Sequence, residues 1–126
     1  MAFISLDQMT EILEELVDEL PQRLFDGLNQ GIIIKEEAKL HAQSKPERPL
    51  YILGEYTRSK LGKQILIYYG SFKQTHGHSS QENIKDKLRD TLRHEFRHHW
   101  EYLAGEQDLA YLDDEFLRKY IFGTER

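Results

Sequence analysis

From Ser80 to Gly105 the chain reads as one long helix, and an element of that length constrains everything packed around it. Ser80 is placed as its N-cap. Ile84, Leu88 and Leu92 recur at four-residue steps and mark a buried stripe. The helix reaches Leu103 or Ala104, and Gly105 supplies the stop. A chain of 126 residues can bury a real core without cross-links, so 1–126 reads as a single domain.

The segments before the helix divide by hydrophobic period. Met9, Ile12, Leu13, Leu16, Val17 and Leu20 recur at three- and four-residue steps, predicting a helix over Leu6 to Leu20 with Ser5 or Asp7 as cap. Pro21 interrupts it, and a short helix follows from Pro21 to about Leu28. The β-branched run Ile32–Ile33–Ile34 predicts a strand over Gly31 to Lys35. Glu36 to Leu40 fits either an irregular strand or a helical turn. Ser44 to Pro49, with two prolines, reads as a loop.

Leu50 to Tyr56 and Gln64 to Tyr69 read as two further strands, close enough in sequence for an antiparallel hairpin with Gly62 as pivot. Gly70 to Ser80 reads as a polar loop. A last helix is placed from Asp113 or Asp114 to Tyr120. The expected class is α+β: N-terminal helices, a short curled mixed β-sheet, the long helix, then a short C-terminal helix.

Composition removes several kinds of chemistry. With no cysteine, thiol nucleophiles, disulfides and Cys-ligated zinc are excluded, so a transition-metal site must use His, Asp, Glu or water. The N-terminal residues lack a basic region followed by an apolar stretch, and no run approaches membrane-spanning length; the expected setting is cytoplasmic, with no membrane partner. A formal charge of −5 argues against a protein held on nucleic-acid phosphates. Lys85, Lys87, Arg89, Arg93 and Arg97 permit a basic helix face, but acids are interspersed among them.

The chemistry-bearing segment is His94-Glu95-Phe96-Arg97-His98. Four residues apart on a helix, His94 and His98 share a face, and their imidazoles can converge on one ion. Zinc suits two neutral imidazoles and a carboxylate, with one position kept for water. Glu95, offset around the helix, is placed to take a proton from that water as general base. The competing reading is a solvated helix face, with Arg97 and Glu101 as an i,i+4 pair. A third ligand is required, and Asp108 beyond Gly105 is the expected one; Glu101, Glu106, Asp113, Asp114 and Glu115 are rivals, the Asp113–Asp114 pair also suiting a helix cap.

The segment Thr91 to His99, with Gly105 and Asp108, resembles the minimal zincin-like metallopeptidase family of bacteria. Leu53-Gly54-Glu55-Tyr56 and Ile65 to Gly70 are similar to that family's short sheet before the motif helix, so the resemblance runs from about Leu20 onward. It implies a zincin-like fold, a bound Zn2+ held by His94, His98 and an acid, and hydrolysis of a peptide or protein substrate. The family's glycine follows the second histidine by three residues; here Trp100 to Ala104 intervene, which moves the helix end by about one turn, roughly 6 Å. The step from Gly105 to Asp108 is kept.

The alternative function is a non-catalytic zincin-like domain that retains zinc and binds a peptide or protein. The Gln64–Tyr69 strand is placed as the upper edge of the cleft, the kind of edge against which zincin-like enzymes bind an extended peptide by main-chain pairing. His99 has no required role; His76 and His78 read as residues of a solvated loop, and Trp100, Tyr102, Tyr68 and Tyr69 as packing residues.

Overall fold

The computed structural model describes residues 3–106 and 119–120. Helix α1 (Leu6–Glu19) opens on a reciprocal cap. The Gln8 N–H donates to Ser5 Oγ at 3.1 Å, and the Ser5 N–H donates to Gln8 Oε1 at 2.7 Å, satisfying two donors that the first helical turn leaves free. Pro21 ends α1, and the following helix is only a four-residue 3-10 turn, Gln22–Phe25.

Strand β1 (Ile32–Lys35) pairs in parallel with β5 (Gly62–Tyr68), and β4 (Gly54–Ser59) pairs with β5 in antiparallel fashion, giving the order β1-β5-β4. The central strand carries the continuous apolar run Ile65-Leu66-Ile67-Tyr68, all buried, as a strand covered on both faces requires. The short strands β2 (Lys39–Leu40) and β3 (Tyr51–Ile52) form a separate antiparallel pair. The expected Leu50–Tyr56 strand therefore divides at Leu53, one part pairing with β2 and the other with β5. The fold is α+β with N-terminal helices and a mixed sheet. The single curled sheet expected of a zincin is corrected to an open three-stranded sheet plus a two-stranded ladder.

The polar loop expected over Gly70 to Ser80 is also corrected, because Tyr69–His76 forms helix α2. Phe72, fully buried, docks that helix, a tertiary contact that its polar composition conceals. Gly70 permits the docking: a Cβ there would lie 2.5 Å from the Ala38 backbone nitrogen. The long helix, α3 (Gln81–Glu106), agrees closely with the sequence reading. Its buried stripe of Ile84, Leu88, Leu92, Phe96, Trp100 and Leu103 packs against Met9, Ile12, Leu13 and Leu16 of α1 and Ile65 and Ile67 of β5. Of the expected C-terminal helix, only Lys119 and Tyr120 are described, and both are helical. Among the described residues no helix is long and apolar enough to cross a membrane.

Candidate functional site: the cleft between strand β4 and helix α3

Strand β4 is an edge of the sheet, and the pairing phase determines which of its main-chain groups are free. The Tyr68 N–H donates to the Leu53 carbonyl at 2.9 Å, and the Ile65 N–H points the other way, to Gly31 of the β1 side. Leu53, Glu55 and Thr57 thus turn their main-chain groups toward β5, whereas Gly54, Tyr56 and Arg58 turn theirs outward. Among the described residues no strand pairs with this outer edge.

Helix α3 runs directly against β4. Gly54 makes the close approach possible, since a Cβ there would meet Thr91 Cγ2 at 2.6 Å and Ile67 Cδ1 at 3.3 Å. Gly54→Ala is expected to cost about 1–3 kcal/mol through overpacking. Thr91→Ser, which removes the opposing methyl, should recover much of that loss in the double variant. Urea unfolding of the four proteins of the cycle measures the coupling, and strict additivity would show that the two groups do not clash.

Between Leu53–Gly54 and the helix lies a cleft of about 330 Å³, bordered by Lys87, Asp90, Thr91, His94 and Glu95. His94 and His98 are exposed on one side of α3, with their Nε2 atoms 3.1 Å apart and their rings edge to face. When both rings are neutral, one Nε2 donates and the other accepts. Burial holds the His94 pKa below its ordinary value, and the positive charges of His98 and Arg97 act in the same direction, against an opposing effect of Glu101. Glu95, between the two histidines in sequence, is 6% exposed, and its carboxyl lies beside the Tyr56 backbone N–H. Burial raises its pKa, with His98 and the Tyr56 N–H opposing that shift.

The sequence reading thus brought His94, His98 and Glu95 to one place, but the zinc assignment is corrected. Two imidazoles require a third protein ligand, and among the described residues no group of three His, Cys, Asp or Glu side chains could hold a metal ion. Glu95 is turned to the β4 backbone. Glu101 faces Arg97 Nε at 3.4 Å and His98 Nδ1 at 3.7 Å. Asp108, Asp113, Asp114 and Glu115 lie outside the described residues, as does the Glu106 side chain. Zinc-dependent peptide hydrolysis with Glu95 as general base, and the alternative with retained zinc, are both set aside on this finding.

His99, left without a role by the sequence reading, is fully buried. Its Nδ1 lies 2.7 Å from the Tyr56 hydroxyl and its Nε2 2.8 Å from the Asp26 carbonyl. A carbonyl only accepts, so Nε2 carries the proton and the Tyr56 hydroxyl donates to Nδ1. One imidazole thereby ties the edge strand, α3 and the turn after the 3-10 segment together. The signal was present in the sequence: His99 falls three residues after Phe96 and four before Leu103, in phase with the buried stripe. The remaining expectations resolve simply. His76 sits against Thr75 and the Phe72 ring. On the proposed basic helix face, Arg89, Arg93 and Arg97 each face an acid.

No protein-family model and no curated protein sequence matches this chain, so the resemblance to zincin-like metallopeptidases finds no support there. A solved structure does match. A conserved hypothetical protein from Thermo thermophilus superposes with a TM-score of 0.70 at 32% sequence identity, over 82% of this chain and 100% of that one. The chain belongs to the family of that conserved hypothetical protein.

Proposed function

We propose that this chain is a peptide-binding protein in which an extended segment of a peptide or protein partner adds to the outer edge of β4 above α3, in the cytoplasm. The observation that carries this reading is the row of outward main-chain groups on Gly54, Tyr56 and Arg58, lying beside the cleft. Main-chain pairing supplies affinity and the cleft supplies side-chain selection. Glu95 stands beside the Tyr56 N–H in the free protein, and a carbonyl of the incoming peptide accepts that N–H. His94, at the cleft border and paired with His98, supplies an N–H or a lone pair to the same peptide, according to which ring of the pair donates.

The test selects a binder from a random extended-peptide library against isotope-labelled protein, then methylates its backbone nitrogens. Binding is expected to shift the amides of Gly54, Tyr56 and Arg58. Methylating the nitrogens that face β4 abolishes it, whereas methylating the intervening ones does not. If no selected peptide moves those amides, or if methylation parity has no effect, the reading fails.

Glu95→Gln gives an independent prediction with a definite sign. Because the folded carboxyl keeps its proton to higher pH than the unfolded chain does, wild-type stability declines as pH rises from the ordinary carboxylate range, about 4.3, through the raised folded value. Glutamine keeps a polar side chain of the same size beside Tyr56 and removes the ionisation. The variant is expected to gain stability relative to wild type across that window and to hold the gain at neutral pH. Parallel urea titrations at several pH values measure it.

A further inference from the structure

The opposite edge of the sheet carries a second free strand and a larger groove. In the parallel ladder, the Ile65 N–H donates to the Gly31 carbonyl at 2.9 Å, so Gly31 and Ile33 face β5 while Ile32 and Ile34 turn their main-chain groups away. Among the described residues no strand pairs with that side of β1. Beside it, between β1 and α1, lies a groove of about 460 Å³ lined chiefly by Leu13, Val17, Phe25, Ile32 and Ile34.

The groove's charge indicates what it would receive. Glu14 and Asp18 stand on its rim, four residues apart on α1, and have no cationic partner among the described residues. Their immediate neighbours are treated differently: Glu15 is 3.0 Å from Lys85, and Glu19 is 3.5 Å from Arg89. Like charges four apart on a helix repel. Asp18 also sits in the last turn, where the helix dipole disfavours an acid, and no basic residue is present there. The rim is therefore an unneutralised acidic pair above an apolar floor, alongside a strand with free donors and acceptors.

We propose that this groove binds an extended segment of a partner protein that carries both apolar and basic residues on one face, at every second position. The segment adds to β1 through its main chain, sets its apolar side chains onto Val17, Phe25 and Ile34, and lays lysine or arginine against Glu14 and Asp18. Side chains two apart on a strand share a face, so apolar and basic residues at every second position all point toward α1. The site is separate from the β4 cleft and takes a partner of different chemistry.

The test titrates a peptide repeating lysine-serine-valine-serine, which puts lysine and valine on one strand face, into methyl- and amide-labelled full chain and follows Leu13, Val17, Ile32 and Ile34. The same peptide with glutamate in place of each lysine is the control. The basic peptide is expected to move those four residues and the acidic peptide to leave them unmoved. Glu14→Gln with Asp18→Asn should weaken binding by roughly tenfold, the scale of two partly exposed charge pairs, and added salt should do the same. Val17→Trp, which fills the groove, should abolish the shifts. Should that variant fail to melt cooperatively, the surface double variant still decides the matter. The proposal is overturned if the basic peptide moves nothing at millimolar concentration, if both peptides act equally, or if the shifts appear at Gly54 and Tyr56 instead. It is also overturned if the same four residues shift with protein concentration alone, which would make the partner a second copy of the chain.

Discussion

Truncating Trp100 to alanine is expected to destabilise the fold by about 3–5 kcal/mol from lost burial and the cavity left behind. Trp100 is fully buried in the cluster that joins α1, α3 and β5. Its indole N–H also donates to the Leu24 carbonyl at 3.0 Å, holding the 3-10 turn against the long helix. Loss of that donor leaves a buried carbonyl unsatisfied, which adds about 1–3 kcal/mol. Trp100→Phe separates the two contributions, since it keeps much of the ring volume and loses the donor. Chemical unfolding of both variants measures the difference. Against a typical total stability of about 5–15 kcal/mol, Trp100→Ala leaves a protein near its unfolding threshold. A Trp100→Ala loss below about 1 kcal/mol would show that the indole is not packed as described.

His99→Ala is expected to cost about 2–5 kcal/mol, because it strands both the Tyr56 hydroxyl and the Asp26 carbonyl. It also changes the pH dependence. Burial lowers the His99 pKa, with the Lys63 charge acting in the same direction and the Asp26 carbonyl and carboxylate opposing. The unfolded chain, with its histidine near 6.5, therefore binds a proton more readily than the native protein does. Stability is fully present above about pH 6.5 and declines as pH falls toward the depressed folded value. His76 and His94 are lowered too and add to the same acid sensitivity. His99→Ala should flatten the His99 share of this slope while lowering stability at neutral pH. Thermal melts between about pH 5 and 8 measure both effects, and an unchanged acid slope would show that His99 is not the buried neutral group described. Because His99 anchors Tyr56, the variant is also expected to loosen β4 and weaken any peptide pairing along its edge.

These two residues also mark where the sequence was legible. The phase of Ile84, Leu88 and Leu92, continued through Phe96, Trp100 and Leu103, is a local property of one helix, and the long helix followed from it directly. The hairpin of β4 and β5 and the first helix were legible for the same reason. Three features depended on contacts between distant segments. Phe72 buries itself and turns a polar stretch into α2, and Gly70 allows that helix to touch the Ala38 backbone. The parallel pairing of β1 with β5 brings together residues more than thirty positions apart, which no hydrophobic period encodes. For the site, the four-residue step placed His94 and His98 together with no knowledge of the fold. The surroundings of Glu95 are a tertiary matter, because they depend on where the Tyr56 backbone of another element falls.

The amino-acid order alone determined the helix that carries both imidazoles, the stripe that buries it, and the absence of any thiol chemistry. These are consequences of composition and of spacing within a single segment. The packing of β4 against α3 decided the rest: which acid faces a backbone amide, which histidine is sealed inside, and which sheet edges keep their hydrogen-bonding groups free. Such outcomes depend on Gly54 meeting Thr91 and Tyr56 meeting His99, pairs whose members come from separate elements and whose distances exist only once the chain has folded.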